Sequence, residues 1–145
     1  MATISITKIF TFEMAHALYG YDGPCANIHG HSYRLEVSIQ AKPLEDVNSP
    51  KNGMIMDFGD LKRLVQKYIL DEVDHALILN ANTSAEIIHS LQTNYNNIVL
   101  YPYQPTSENM LSDFANRIQK QLPSHIQLEC LRLYETSTSF AEWKN

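Results

Sequence analysis

Three histidines carry the first chemical signal. Around His31 the chain reads His31-Ser32-Tyr33-Arg34-Leu35-Glu36-Val37-Ser38-Ile39-Gln40, apolar at every odd position from Tyr33 to Ile39 and polar at every even one. That alternation specifies a half-buried β-strand. Its period of two carries His29 and His31 onto the apolar face if the strand extends back to them. Upstream, Phe12, Met14, His16 and Leu18 share one parity while Thr11 and Glu13 take the other, so His16 points inward as well. Inward imidazoles are costly unless every ring nitrogen finds a partner, so they are either hydrogen-bonded singly or coordinated jointly to an ion. All-imidazole ligation suits zinc best among the common ions. Three nitrogens leave a tetrahedral ion one position for water or substrate, as in catalytic sites.

Other residues could do chemistry beside such an ion. Cys25 lies four positions before His29 in a Gly/Pro loop. Its thiol can fill a small apolar space, attack or take a proton, or close the site as a fourth ligand, which would make the ion structural. Asp74-His75 places a carboxylate next to an imidazole, where it can fix the ring's tautomer, or else the pair marks a solvated helix end. Glu108 falls in the first turn of a helix and has an ordinary explanation as a dipole-stabilising carboxylate. Glu135 shares parity with Leu131 and Leu133, so it faces inward and calls for a cationic or multi-donor partner. His89 and His125 belong to no cluster and read as surface residues.

The elements that must position these groups follow from periodicity. Residues 3 to 18 read as a strand, stopped by Tyr19-Gly20-Tyr21-Asp22-Gly23-Pro24, and a second strand runs from about 30 to 42 as its antiparallel neighbour. Leu61, Leu64, Val65, Tyr68 and Ile69 mark one face of an amphipathic helix, with Asp57 or Asp60 as its cap. A short helix is expected from Ser84 to Tyr95 with Ser84 as cap, and a brief strand over Asn97 to Tyr101. Leu111, Phe114, Ala115, Ile118 and Leu122 mark a further helix, entered through Pro105-Thr106-Ser107-Glu108 and ended near Pro123. The last strands span Ile126 to Thr136 and a short run around Phe140 to Trp143. Strands at both ends with helices between them predict an α+β domain, helices on one face of an antiparallel sheet.

At 145 residues the chain is the size of one domain, 1–145, with room for a sizeable core. A formal charge of −5 argues against nucleic-acid or anionic-membrane partners. No stretch approaches eighteen apolar residues and the first residues lack a signal-peptide pattern, so a cytoplasmic location is expected. Cys25 and Cys130 then read as separate thiols.

The motifs together resemble one family. Phe12-Glu13-Met14-Ala15-His16, Cys25-Ala26-Asn27-Ile28-His29-Gly30-His31, Met56-Asp57-Phe58-Gly59-Asp60-Leu61-Lys62, Asp74-His75, Pro105-Thr106-Ser107-Glu108-Asn109 and Tyr134-Glu135-Thr136 resemble, in order, the 6-pyruvoyltetrahydropterin and 6-carboxytetrahydropterin synthases. The resemblance implies zinc on His16, His29 and His31, Cys25 as proton acceptor, and His75 oriented by Asp74 as the catalytic histidine. It also implies Glu135 as the anchor of the pterin ring, with Thr106 and Glu108 as neighbouring pterin contacts. The implied fold is the tunnelling fold, a four-stranded antiparallel sheet with helices on one face. Trimers of such sheets close into a barrel and two barrels stack into a homohexamer, with active sites between subunits. The three-residue gap between Cys25 and His29, and Asp57-Phe58 before the helix, resemble the bacterial carboxy-forming branch. Expected on that ground is conversion of 7,8-dihydroneopterin triphosphate to 6-carboxy-5,6,7,8-tetrahydropterin, acetaldehyde and triphosphate, at the entry to queuosine synthesis. The alternatives are 6-pyruvoyltetrahydropterin synthase and a non-catalytic zinc-stabilised assembly module. Met14 and the long stretch between His75 and Pro105 depart from the compact members.

Overall fold

The two longest strands set the frame. In the computed structural model, which describes residues 2–145, β1 (Ile4–Ala17) and β2 (His29–Ala41) pair antiparallel in unbroken register from Ile4 opposite Ala41 to His16 opposite His29. One face of this pair is apolar: Phe10, Phe12 and Met14 from β1 and Tyr33, Leu35, Val37 and Ile39 from β2 are buried. Phe12 and Tyr33, directly opposite in register, stack with ring centroids 5.1 Å apart.

Strand β5 (Gln127–Thr136) adds antiparallel to β2, and β6 (Ser139–Lys144) adds antiparallel to β5. These four antiparallel strands are the sheet the sequence leads one to expect. The full sheet is larger and mixed, with six strands in the order β4-β3-β1-β2-β5-β6. The short strand β3 (Ala76–Asn80) runs parallel to the end of β1, opposite Met14 to Ala17, and β4 (Ile98–Tyr101) adds parallel to β3. Sequence reasoning expected β4 but not β3. The run Ala76-Leu77-Ile78-Leu79 is apolar without alternation because a parallel strand in a sheet interior is covered on both faces.

The helices that contribute to the core lie on the apolar face. Helix α1 (Phe58–Val65) is capped by Asp57, whose side chain accepts from the Gly59 N–H at 2.7 Å. It runs into a π-helical turn over Gln66–Leu70 and ends in α2 (Asp71–Val73), so the expected single helix is interrupted by a wider turn. Helix α3 (Ala85–Asn94) follows Ser84, but the Ser84 side chain makes no cap bond, contrary to expectation. Helix α4 (Ser107–Gln119) is capped by Thr106, which accepts from the Asn109 N–H at 3.2 Å. Leu61, Val65 and Ile69 meet Met110, Phe114 and Ile118 and the Leu128, Leu131 and Leu133 side chains of β5 in one continuous core. Full burial of such side chains stabilises by about 1.5–3 kcal/mol each. Among the described residues no helix is long and apolar enough to cross a membrane.

Candidate metal centre and active site

His16 and His29 stand opposite each other at the last paired position of β1 and β2, and His31 follows two residues along the same face. One ligand nitrogen from each of the three lies within 4.8 Å of the others. The Nδ1 of His16 is 2.8 Å from the carbonyl of Pro105, and the Nδ1 of His29 is 2.7 Å from the carbonyl of Asn27. A carbonyl accepts only, so each Nδ1 carries the hydrogen and each neutral ring presents a bare lone pair at Nε2. Those two Nε2 atoms are 3.1 Å apart. The Nε2 of His31 is buried with no hydrogen-bond partner. Burial pushes His16 below its ordinary 6.5, outweighing the bond to Pro105, and keeps that ring neutral near pH 7.

Lone pairs facing one another, as those of His16 and His29 do, repel unless a cation lies between them. Tetrahedral zinc with nitrogen ligands at about 2.0–2.1 Å spaces those nitrogens about 3.3 Å apart, close to the separation of the first pair. The residues therefore fit a zinc ion. Cys25 is not among the three residues whose ligand atoms converge.

On the His16 side, a cavity of about 390 Å³ collects Cys25, Thr106, Ser107, Glu108 and Glu135. Cys25 sits in a single 3-10 turn (Pro24–Ala26), pinned to the end of β1 by the Leu18 N–H donating to the Cys25 carbonyl at 2.9 Å. Glu135 is aimed by a bulge: the β5–β6 register slips between Tyr134 and Thr136, leaving Glu135 unpaired at the strand end. Its carboxylate accepts from the Ser107 hydroxyl at 2.7 Å and comes within 3.7 Å of His31 Nε2. Two acceptor oxygens at the wall of a part-buried cavity suit a ligand edge carrying paired N–H donors. Thr106 and Glu108 line the same cavity from the first turn of α4, so their capping and dipole roles coexist with access to it.

Asp74 and His75 lie elsewhere. His75 lines a separate cleft of about 810 Å³ with Glu13, His31, Tyr95 and Asn97. The histidine cluster stands between the two cavities, His16 bordering one and His31 the other. His75 Nδ1 is 3.0 Å from Asp74 Oδ1, which also accepts from the Glu13 N–H at 3.0 Å. Among the described residues His75 is the one non-glycine with positive φ, at 61°. Its N–H donates to the Glu13 carbonyl at 2.6 Å and its carbonyl accepts from Asn97 at 3.2 Å. A side chain 77% exposed thus sits on a backbone held in a sparsely populated region.

Sequence reasoning missed several contributors. Ser107 is the donor that holds Glu135, and its only signal was its place in the helix-entry motif. The hydroxyl of Tyr33, buried beneath the cluster, lies 3.4 Å from His16 Nε2. The carbonyls of Pro105 and Asn27, which set the histidine tautomers, carry no residue-type signal. His89 and His125 are exposed as expected.

The profile described as 6-pyruvoyl tetrahydropterin synthase matches residues 5–145. The chain is 38% identical over 141 residues to the 6-carboxy-5,6,7,8-tetrahydropterin synthase of Haemophilus influenzae, covering 96% of this chain and 97% of that one. It is 34% identical over 143 residues to the protein of the same name from Rickettsia typhi, covering 96% and 99%. Among solved structures, an uncharacterized protein from Wolinella succinogenes superposes with a TM-score of 0.78 at 18% identity, covering 100% and 99% of the two chains. Caenorhabditis elegans 6-pyruvoyl tetrahydropterin synthase does so at 0.66 and 24% identity, covering 100% and 97%. These structures share the tunnelling fold. A match over nearly the whole chain shows that the chain belongs to the 6-pyruvoyl tetrahydropterin synthase family.

Proposed function

We propose that the chain is a zinc-dependent 6-carboxy-5,6,7,8-tetrahydropterin synthase. It converts 7,8-dihydroneopterin triphosphate and water to 6-carboxytetrahydropterin, acetaldehyde and triphosphate, the entry to queuosine synthesis. The observation that carries this reading is the convergence of three imidazole nitrogens beside the Ser107–Glu135 carboxylate and Cys25. His16, His29 and His31 would hold the ion. Bound there, zinc acts as a Lewis acid that makes side-chain protons of the substrate more acidic.

The chain's own residues do the rest. Glu135, fixed by Ser107, accepts the N–H edge of the pterin and orients the ring, with Thr106 and Glu108 at the cavity wall. Cys25 takes a proton from the substrate side chain. His75, its tautomer fixed by Asp74, holds and returns a proton. Cys25 and His75 border different cavities of one chain, so the working sites lie between copies. Two open sheet edges support such an assembly: β3 covers only Met14 to Ala17 of β1, and β6 ends the sheet on the other side. Heterologous pairing of these edges closes rings, and a homohexamer of two stacked trimers is the proposed state.

Incubation with 7,8-dihydroneopterin triphosphate followed by mass spectrometry tests the reading. Expected products are 6-carboxytetrahydropterin and acetaldehyde. A 6-pyruvoyl product places the chain in the other branch, and no turnover by the zinc-loaded protein defeats the assignment.

A further inference from the structure

One side chain ties the helix beside the first cavity to the segment that leads into the second. Arg117, on the last turns of α4, is three-quarters buried and uses all its nitrogens. Nε and Nη2 donate to Asp113 at 3.0 and 2.7 Å, while Nη1 donates to Glu72 and, at 3.2 Å, to the Tyr68 carbonyl. Asp113 also accepts from the Tyr103 hydroxyl. Tyr68 belongs to the π-helical turn and Glu72 to α2, two residues before Asp74. The first turn of α4 carries Thr106, Ser107 and Glu108, and Ser107 holds Glu135. One guanidinium thus spans from the helix that fixes the ring-binding carboxylate to the segment that delivers His75.

We propose that Arg117 is a positioning residue for the Asp74–His75 pair: by anchoring the π-helical turn and α2 to α4, it sets the point from which the chain enters the strained conformation at His75. This rests on the catalytic reading of His75 given above. The strain gives the anchor its purpose. A residue at φ 61° relaxes unless its flanks are held. Downstream, His75 is gripped by Glu13 and Asn97, and upstream the polar side-chain tie of α2 to α4 runs through Glu72 and Arg117. Burial works against the guanidinium's charge, but the hydrogen bonds to Asp113 and Glu72 outweigh it and raise its pKa, so the anchor stays charged at any working pH.

A double-mutant cycle on the full chain, with zinc content and thermal midpoint recorded for every variant, tests the proposal with 7,8-dihydroneopterin triphosphate as substrate. Arg117→Met should lower kcat about tenfold, with KM within about twofold and zinc unchanged. Arg117→Lys, which keeps the charge and loses the fork, should recover part of that loss. In the His75→Ala background Arg117→Met should cost nothing further, because its effect passes through His75. Glu72→Gln, on the exposed side of the clamp, should give a smaller defect of the same kind and serves if Arg117→Met does not fold. An equal loss in both backgrounds, or an unchanged kcat in Arg117→Met and in Glu72→Gln, overturns the proposal while leaving the catalytic reading intact. Wild-type kcat in His75→Ala overturns that reading and this inference with it.

Discussion

At the scale of single residues, three imidazoles converge with few partners for the nitrogens that face one another. Backbone carbonyls take the Nδ1 hydrogens of His16 and His29, and the His31 Nε2 is left buried and alone. Cys25 stands outside that group, so substitution can separate its chemistry from ligation. Cys25→Ala should keep its zinc and lose roughly 10²–10⁴-fold in turnover, the usual worth of a general base. Zinc lost in step with activity, read by metal analysis, would make Cys25 a ligand instead. Glu135→Gln keeps the size but turns one acceptor toward a donor. Affinity for a dihydropterin should fall by about 1.5–3 kcal/mol in calorimetry with zinc unchanged. Wild-type affinity would move the ring to another anchor, with Glu108 next in line.

Between elements, what was legible in the sequence divides by the kind of information involved. Strands β1 and β2 and the inward histidines could be read because alternation is local and uninterrupted. Strand β3 could not, since four apolar residues after Asp74-His75 look the same in a buried strand as at a helix end. Nothing in Gln66-Lys67-Tyr68-Ile69-Leu70 announces a π-helical turn, because its apolar residues continue the α-helical stripe. The clamp of Arg117, Asp113, Glu72 and Tyr103 was equally hidden, its members lying up to 45 residues apart. It has a consequence in acid. Burial alone would raise the Asp113 pKa, but the hydrogen bonds from Arg117 and Tyr103 outweigh it and hold it below its ordinary 3.8. A depressed carboxylate contributes stability that is present above 3.8 and lost as pH falls through the folded value. Thermal midpoints of Asp113→Asn should therefore lie below wild type at neutral pH and converge with it in strong acid. A constant gap across that range would show that the charge of Asp113 contributes nothing.

For the whole molecule, family membership and the four-strand frame were readable from motifs, whereas the placement of Asp74–His75 away from Cys25 was not. Which cavity a residue borders depends on strand order, and β3 delivers His75 to the far side of the histidine cluster. On the proposed function, that separation leaves one copy with an incomplete site, and the open edges at β1 and β6 offer the means of assembly. Light scattering coupled to size exclusion should give a mass near six times the 16.6 kDa chain. A monomer retaining full turnover would contradict shared sites. On the proposed reading His16, His29 and His31 hold one zinc at the reacting centre, and metal analysis of purified protein is the sharpest check. Wild type should carry one zinc per chain, and His31→Ala, stripped of one of three ligands, should lose it together with turnover. Full zinc retained in His31→Ala would contradict the account at its base.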